Sequence, residues 1–404
     1  MNELASLGII LLVALLAGHL VKFVRLPEVV GYIAVGVVVG PYVMGWISHE
    51  NLATLSVFSQ VALGLILFSV GSIFDIQRVQ TVGLRVLRVT LAESFLAAIL
   101  VTTSMILLGQ SWQASLLLGS IAMATAPAST LMVIRECNSS GPLTETLLGV
   151  IGVNNILCLT AFAAVAAVID LSANMSSGGG EFLQTLYRSI YPLVWQLVGS
   201  VALGFLVGLL LASWATRVTE QGELLILITG CVLLCVGVAL LLELSTLLAS
   251  LAVGATMVNL SANSRRLFHA LASSDPPFYA IFFVMAGSDL NLGLLKTMGV
   301  LGIVYVLARV AGKFIGAKFA AKREGLEPVV QRLLGFGLIA QAGLALGLVV
   351  TITRRYPELA PAVSTVVLAA VAISELVGPV AIRLAIVHSG EAREHPRKPV
   401  DVLA

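Results

Sequence analysis

Ala124-Thr-Ala-Pro-Ala-Ser-Thr130 and Ala340-Gln-Ala-Gly-Leu344 interrupt two otherwise apolar runs, and their reading decides the fold. Proline lacks an amide hydrogen and glycine loses extra entropy on ordering, so each stretch is a weak point in a helix. Pro127 and Gly343 are 216 residues apart. The same offset carries Val70-Gly71-Ser72 onto Ala286-Gly287-Ser288, and Glu93 onto Arg309. A matched pair of interruptions at one fixed offset points to an internal repeat with two broken helices. Proteins with inverted repeats and paired discontinuous helices at the membrane midplane are secondary transporters.

The rest of the chain agrees with a bilayer setting. It has 404 residues, 58% of them hydrophobic and 11% charged, with a mean hydropathy of +1.03. Soluble domains carry about 25% charged residues. That difference excludes a cytosolic enzyme, a nucleic-acid binder and a disordered regulator. A net charge of +2 recruits no anionic partner. Cys137, Cys158, Cys231 and Cys235 are scattered, with no His or carboxylate placed to complete a metal site, and read as inert thiols. No transition metal or other cofactor is expected. There is no Walker loop, so ATP-driven transport is excluded and no nucleotide partner is expected. The Met1-Asn-Glu start lacks the basic region and cleavage site of a signal peptide, so the first span is expected to be retained.

Apolar runs divided by charges and prolines predict thirteen spans. They lie near 4–22, 28–46, 53–75, 82–108, 112–134, 142–169, 185–215, 221–242, 244–260, 275–289, 293–317, 328–353 and 360–388. With the N-terminus outside, the inner loops and tail hold seventeen of the 23 Lys and Arg, among them Lys22, Arg25, Arg135, Lys322 and Arg383. The outer side keeps Arg188, Lys296, Arg354 and Arg355. This skew obeys the positive-inside rule and argues for N-out and C-in. The expected fold is thus an all-α membrane protein: spans 1–6 and 8–13 form two inverted six-helix repeats with crossed broken helices, and span seven is a linker. Gly178-Gly-Gly180 is read as an outer loop.

Several motifs now carry a resemblance. Arg25-Leu-Pro-Glu-Val-Val-Gly-Tyr-Ile33 with Gly40-Pro41, Gly141-Pro-Leu-Thr-Glu-Thr-Leu-Leu-Gly149, Phe282-Phe-Val-Met-Ala-Gly287, Gly335-Phe-Gly-Leu-Ile-Ala-Gln-Ala-Gly343 and Glu375-Leu-Val-Gly-Pro379 fall in order along the chain. Together they resemble the monovalent cation/proton antiporter superfamily, second branch. The resemblance implies a homodimer in the inner (cell) membrane that exchanges Na+ or K+ for H+. It further implies a core sliding like an elevator against a dimerisation domain. Projected here, residues 1–81 and 221–292 form the dimerisation domain. Residues 82–170 and 293–388 form the core, 185–215 the linker helix and 389–404 a cytoplasmic tail.

One departure stands out. The family usually has an Asp-Asp or Asn-Asp pair at the centre of span six, whereas this chain has Gly152-Val-Asn-Asn-Ile156. Asn154 and Asn155 can offer amide oxygens to a cation, or satisfy backbone groups freed at the broken helices, but neither ionises. Thr125, Ser129 and Thr130 flank Pro127 as further hydroxyl ligands, unless they bond the preceding turn. Gln341 faces them from the second break and is expected to shape the crossing.

Four charged residues remain at membrane depth: Glu93, Arg309, Lys313 and Glu375. Each costs at least about 2.5–3.5 kcal/mol at bilayer centre, so each needs a reason. Lys313 falls where the electrogenic branch of the family has a lysine paired with the first aspartate, here replaced by Asn154. A desolvated lysine without a counter-charge gives up its proton readily, which makes Lys313 the expected proton carrier, aided by Glu93 or Glu375. The alternative is that Lys313 and Arg309 pair with those two carboxylates and hold the core together. Because Glu93 and Arg309 are repeat mates, a salt bridge between them is the specific expectation. Two other functional readings stand beside antiport. One is the same fold without proton coupling, a uniporter or a carrier of an anion or neutral solute. The other is a transport-inactive sensor or subunit.

Overall fold

In the computed structural model, the described residues are 3–47, 49–72, 74–176, 191, 194–218, 220–261, 264–274, 276–291, 293 and 298–393. Arg188, Lys296, the Gly178–Gly180 loop, the first turns of the expected linker helix and the tail beyond Arg393 lie outside them. Among the described residues every regular element is a helix. Among the described residues seven helical segments, Trp112–Glu136 counted as one although it is broken in the middle, are long and apolar enough to cross a membrane, and several shorter helices are apolar.

The first half comprises α1 (Glu3–Phe23), α2 (Glu28–Val39), α3 (His49–Gly71), α4 (Ile76–Leu107), α5 (Trp112–Ala122), α6 (Pro127–Glu136) and α7 (Pro142–Ser176). A π-helical turn, Trp195–Gly199, leads into α8 (Ser200–Ala215). The second half comprises α9 (Gln221–Leu241), α10 (Thr246–Leu260), α11 (Ser264–Ser274), α12 (Pro276–Ser288), α13 (Gly299–Arg323), α14 (Pro328–Gly337), α15 (Gly343–Arg355) and α16 (Ala360–Ser389).

Both suspected interruptions are real. Ala126, extended at φ −76° and ψ 117°, precedes Pro127, which opens α6 as its first residue. Proline disfavours the helical region for the residue before it, and its missing amide is harmless at a helix start. In the second half α14 ends at Gly337 and α15 begins at Gly343, leaving four extended or turn residues after Leu338. The two breaks touch, since the Ala126 amide donates to the Ala340 carbonyl at 3.0 Å.

Helix ends recur at the repeat offset. Adding 216 to the starts of α5 and α6 gives the starts of α14 and α15. Two turns share one geometry as well: Gly109 and Gly325 both have positive φ. Each follows a helix whose last carbonyls are capped in the same way, Gln110 to Met105 and Leu326 to Ala321. This is the six-to-one closure of a glycine C-cap.

Two departures from expectation concern boundaries. The expected helix 28–46 stops at Val39, because Pro41 cannot continue it and Gly40–Ile47 folds into turns. Helix α11 occupies the stretch between the expected spans 244–260 and 275–289. Its signal was local: Leu267, Ala270 and Leu271 share one buried face, which packs into the cluster formed with α9.

The polarity of the helices is the reverse of a soluble protein. On α13, Tyr305, Arg309 and Lys313 face inward and are fully buried, while Ile303, Leu307, Ile315 and Phe319 are exposed. Helices α4–α7 and α13–α16 pack mainly on one another. Helices α1–α3 and α8–α12 form a second group, and the groups meet where α2 and α3 approach α6 and α16.

Candidate ion-binding site

Helices α4 and α13 cross so closely that side chains are excluded. A Cβ on Gly316 would lie 2.6 Å from the Glu93 Cα, and one on Gly312 would lie 2.4 Å from the Ala97 Cα. Lys313 sits between these glycines, so the close approach delivers its ammonium group to α4. Its Nζ donates to Glu93 Oε2 at 2.8 Å, to the Met123 carbonyl at 2.7 Å and to Thr125 Oγ1 at 2.9 Å. All three ammonium protons have acceptors. Both charged side chains are wholly excluded from solvent.

The other carboxylate oxygen of Glu93 accepts from Ser94 Oγ and from Asn154 Nδ2, each at 2.7 Å. Asn154 Nδ2 also lies 2.7 Å from Ser94 Oγ. The asparagine amide therefore donates to the ion pair. Its carbonyl oxygen is buried without a hydrogen-bond partner among the described residues.

Arg309, one turn earlier on α13, fastens the two breaks together. Its Nε donates to the Ala122 carbonyl at 3.1 Å. Nη1 donates to Ile339 at 2.7 Å, and Nη2 to Ala124 at 2.6 Å and to Ala340 at 3.3 Å. Those carbonyls lie at and just beyond the C-termini of α5 and α14, the negative ends of two helix dipoles. A rigid planar fork with five donors suits this task better than any other side chain. Gln341 adds a second tie, its Nε2 donating to the Ile121 carbonyl at 3.0 Å and to Tyr305 Oη at 3.2 Å.

These contacts revise the charge pairing. The expected Glu93–Arg309 bridge does not form: Lys313 takes Glu93, and Arg309 takes backbone carbonyls. Lys313 also does not lack a counter-charge, which was the premise for making it the proton carrier. Arg309 needs no carboxylate because four freed carbonyls supply the negative partner that breaking the helices created.

On the face toward α3, α10 and α12 the breaks border a cavity. Thr125, Ser129, Asn155 and Glu375 line it with the backbone of both breaks, and Leu63, Leu247, Phe282 and Phe283 close it from the second helix group. Ser129 Oγ, Asn155 Oδ1 and both carboxylate oxygens of Glu375 are buried and have no hydrogen-bond partner among the described residues. Thr130 is not among these ligands, for its hydroxyl donates to the Ala126 carbonyl at 3.0 Å.

The structure thus divides the predicted site residues among three places, with Arg309 and Gln341 clasping the breaks. Glu93, Asn154, Lys313 and Thr125 form one bonded cluster. Asn155, Ser129 and Glu375 line the cavity, with Thr125 reaching both. Sequence reasoning missed Ser94 and Tyr305. Tyr305 had a usable signal, lying four residues before Arg309 on the same helix face.

Comparison with known proteins places this geometry. Residues 8–387 match the family described as the transmembrane sodium/hydrogen exchangers. Among curated proteins, the ammonium/H+ antiporter subunit AmhT of Alkalihalophilus pseudofirmus is 25% identical over 337 residues, 83% of each chain. The Na+/H+-K+ antiporter GerN of Bacillus cereus is 23% identical over 348 residues, 84% of this chain and 85% of GerN. Among solved structures, two of the sodium proton antiporter MjNhaP1 from Methanocaldococcus jannaschii superpose with TM-scores of 0.67 and 0.72. Both cover 96% of each chain, at 16% and 14% identity, and so report on the fold.

Proposed function

From the premise that the chain belongs to the transmembrane sodium/hydrogen exchanger family, we propose that it is a secondary transporter exchanging a monovalent cation for protons at the cavity beside the crossed breaks. It is a multi-pass membrane transporter and not an enzyme. The observation that carries the reading is the cavity itself: buried, unpartnered oxygens of Ser129 and Asn155 sit where two helices are broken. Unpartnered buried oxygens cost free energy unless something coordinates them, and a partly dehydrated cation is a partner of the right charge.

The geometry weighs against an anion carrier. Such a carrier needs a positive group in the cavity, whereas the described donors of Lys313 and Arg309 are spent on Glu93, Thr125 and backbone carbonyls. Sodium, potassium and ammonium, the ions in the names of the relatives, are the candidate substrates.

The finer account follows. Thirteen spans run N-out to C-in in the cell membrane, as two inverted repeats. Helices α4–α7 and α13–α16 are the moving core, carrying Asn154 and Asn155. Helices α1–α3 and α9–α12 are the dimerisation domain of a homodimer, and α8 is the linker. The apolar wall of Leu63, Leu247, Phe282 and Phe283 supports an elevator: a greasy surface offers the core no polar contacts to hold it in one position. The test is proton flux in liposomes containing the purified protein and a trapped pH dye. External pulses of sodium, potassium or ammonium salt are expected to alkalinise the lumen beyond the response of protein-free liposomes, because each cation that enters sends a proton out. No response to any of the three would refute antiport.

A further inference from the structure

We propose that Glu375, on α16, is the group that carries either the proton or the cation, so that the exchanging charge has moved out of the asparagine pair on α7 and across the crossing. The inference rests on the antiport reading and names the chemistry of its site. Exchange at a single site requires one negative group that a proton and a cation occupy in turn. Among the described residues four carboxylate or cationic side chains lie buried at this depth, and three are already bonded: Lys313 with Glu93, and Arg309 with carbonyls. Glu375 alone is 2% exposed with both oxygens unpartnered.

Its position suits the role. Glu375 lines the same cavity as Asn155, Ser129 and Thr125, so a cation beside it meets amide and hydroxyl oxygens as well as the carboxylate. Among the described residues no other titratable side chain lines the cavity. Of the other buried ionisable groups on helices packed against α16, Tyr305 accepts a hydrogen bond from Gln341, the Cys158 thiol donates to the Ser120 carbonyl at 3.3 Å, and Tyr32 Oη donates to Glu28 Oε2 at 2.9 Å. The N-termini of α6 and α15, at Pro127–Ser129 and Gly343–Leu344, also border the cavity. Helix N-termini favour an anion beside them, which makes the ionised state of a buried carboxylate attainable between proton loss and cation arrival.

The proposal also fixes the stoichiometry. One carboxylate binds one proton or one cation, and Lys313 stays paired with Glu93 throughout. Each cycle therefore moves one proton against one monovalent cation, with no net charge transferred.

Purified full-length protein in dye-loaded liposomes tests this directly. Glu375→Gln removes the charge at nearly constant volume and is expected to reduce cation-driven proton flux at least tenfold, to the level of empty liposomes. Glu375→Asp keeps the charge and is expected to retain exchange, which separates loss of the carrier from loss of the fold. Asn155→Asp combined with Glu375→Gln returns a carboxylate to the same cavity and is expected to restore flux. On a solid-supported membrane the native protein should give no current under conditions that give a dye signal. Flux in Glu375→Gln at the native level, or a clear transport current, would overturn the proposal. If the native protein shows no flux, the antiport reading falls separately. Glu375 is then judged by cation-induced stabilisation against thermal unfolding in detergent at pH 8, expected in the native protein and absent in Glu375→Gln; equal stabilisation in both would refute it.

Discussion

At the scale of single residues, the core is organised by where two cations on one helix face find negative partners. Lys313 and Arg309 are four apart, and the repeat offset favoured Arg309 as the partner of Glu93, whereas the structure pairs Glu93 with Lys313. The choice is made by Gly312 and Gly316, which let α4 approach α13 beside Lys313, and by the freed carbonyls that absorb Arg309. Neither backbone carbonyls nor helix crossings are written in side-chain identity, so this pairing was not legible. A buried ion pair resists loss of one partner far more than loss of both. Lys313→Met is therefore expected to cost about 3–5 kcal/mol by stranding the Glu93 charge. Adding Glu93→Gln should recover most of that loss, since the amide oxygen still accepts from Asn154. Thermal unfolding of the three proteins in detergent measures it. Because Glu375 carries the exchanging charge, the double variant is also expected to keep cation-driven proton flux, whereas a proton-carrying Lys313 would make it inactive.

At the scale of elements, the breaks were legible and their consequences were not. Pro127 and Gly343 announced themselves by residue type and by a shared offset. The amphipathic α11 was hidden because its apolar face is short and its flanks are polar. The glycine crossings were equally hidden: a list of 37 glycines does not say which are in contact. The structure separates them. A Cβ on Gly316 meets the Glu93 backbone at 2.6 Å, whereas one on Gly237 in α9 meets nothing within 4 Å. Gly316→Leu is expected to prevent recovery of monodisperse folded protein, because two backbones cannot separate without breaking the Lys313–Glu93 pair. Gly237→Ala is expected to fold normally and to gain up to about 1 kcal/mol, the ordinary helical preference of alanine over glycine. Size-exclusion profiles and thermal unfolding of both variants check the contrast.

At the scale of the whole molecule, two helix groups share a boundary that is apolar at the cavity and polar at one end. There the Glu28 amide donates to Glu136 Oε2 at 2.9 Å, Lys22 pairs with Glu28, and Arg383 reaches Glu136 Oε1 at 3.3 Å. This end ties α2 to α6 and α16, across the groups proposed to slide. Elevator motion must release it in every cycle. With Cys137, Cys158, Cys231 and Cys235 replaced, a cysteine pair at Glu28 and Glu136 joined by a short bifunctional thiol reagent is expected to stop exchange, and reductive cleavage of the linker to restore it. Exchange that continues across the intact linker would mean the two groups do not move relative to each other. The bilayer class was readable because only 11% of residues are charged. The location of the exchanging carboxylate was not readable, since an isolated glutamate on the last span gains its meaning only from the cavity it borders.

On the proposed mechanism a monovalent cation exchanges for a proton at the cavity of Asn155 and Glu375. Uptake of radioactive sodium and rubidium into acid-loaded liposomes, by native and Glu375→Gln protein, measures it most directly. The predicted result is uptake of at least one of these ions by the native protein, driven by the outward proton gradient and lost on collapsing it, with none above background in Glu375→Gln. Uptake that ignores the proton gradient, or that persists unchanged in Glu375→Gln, would contradict it.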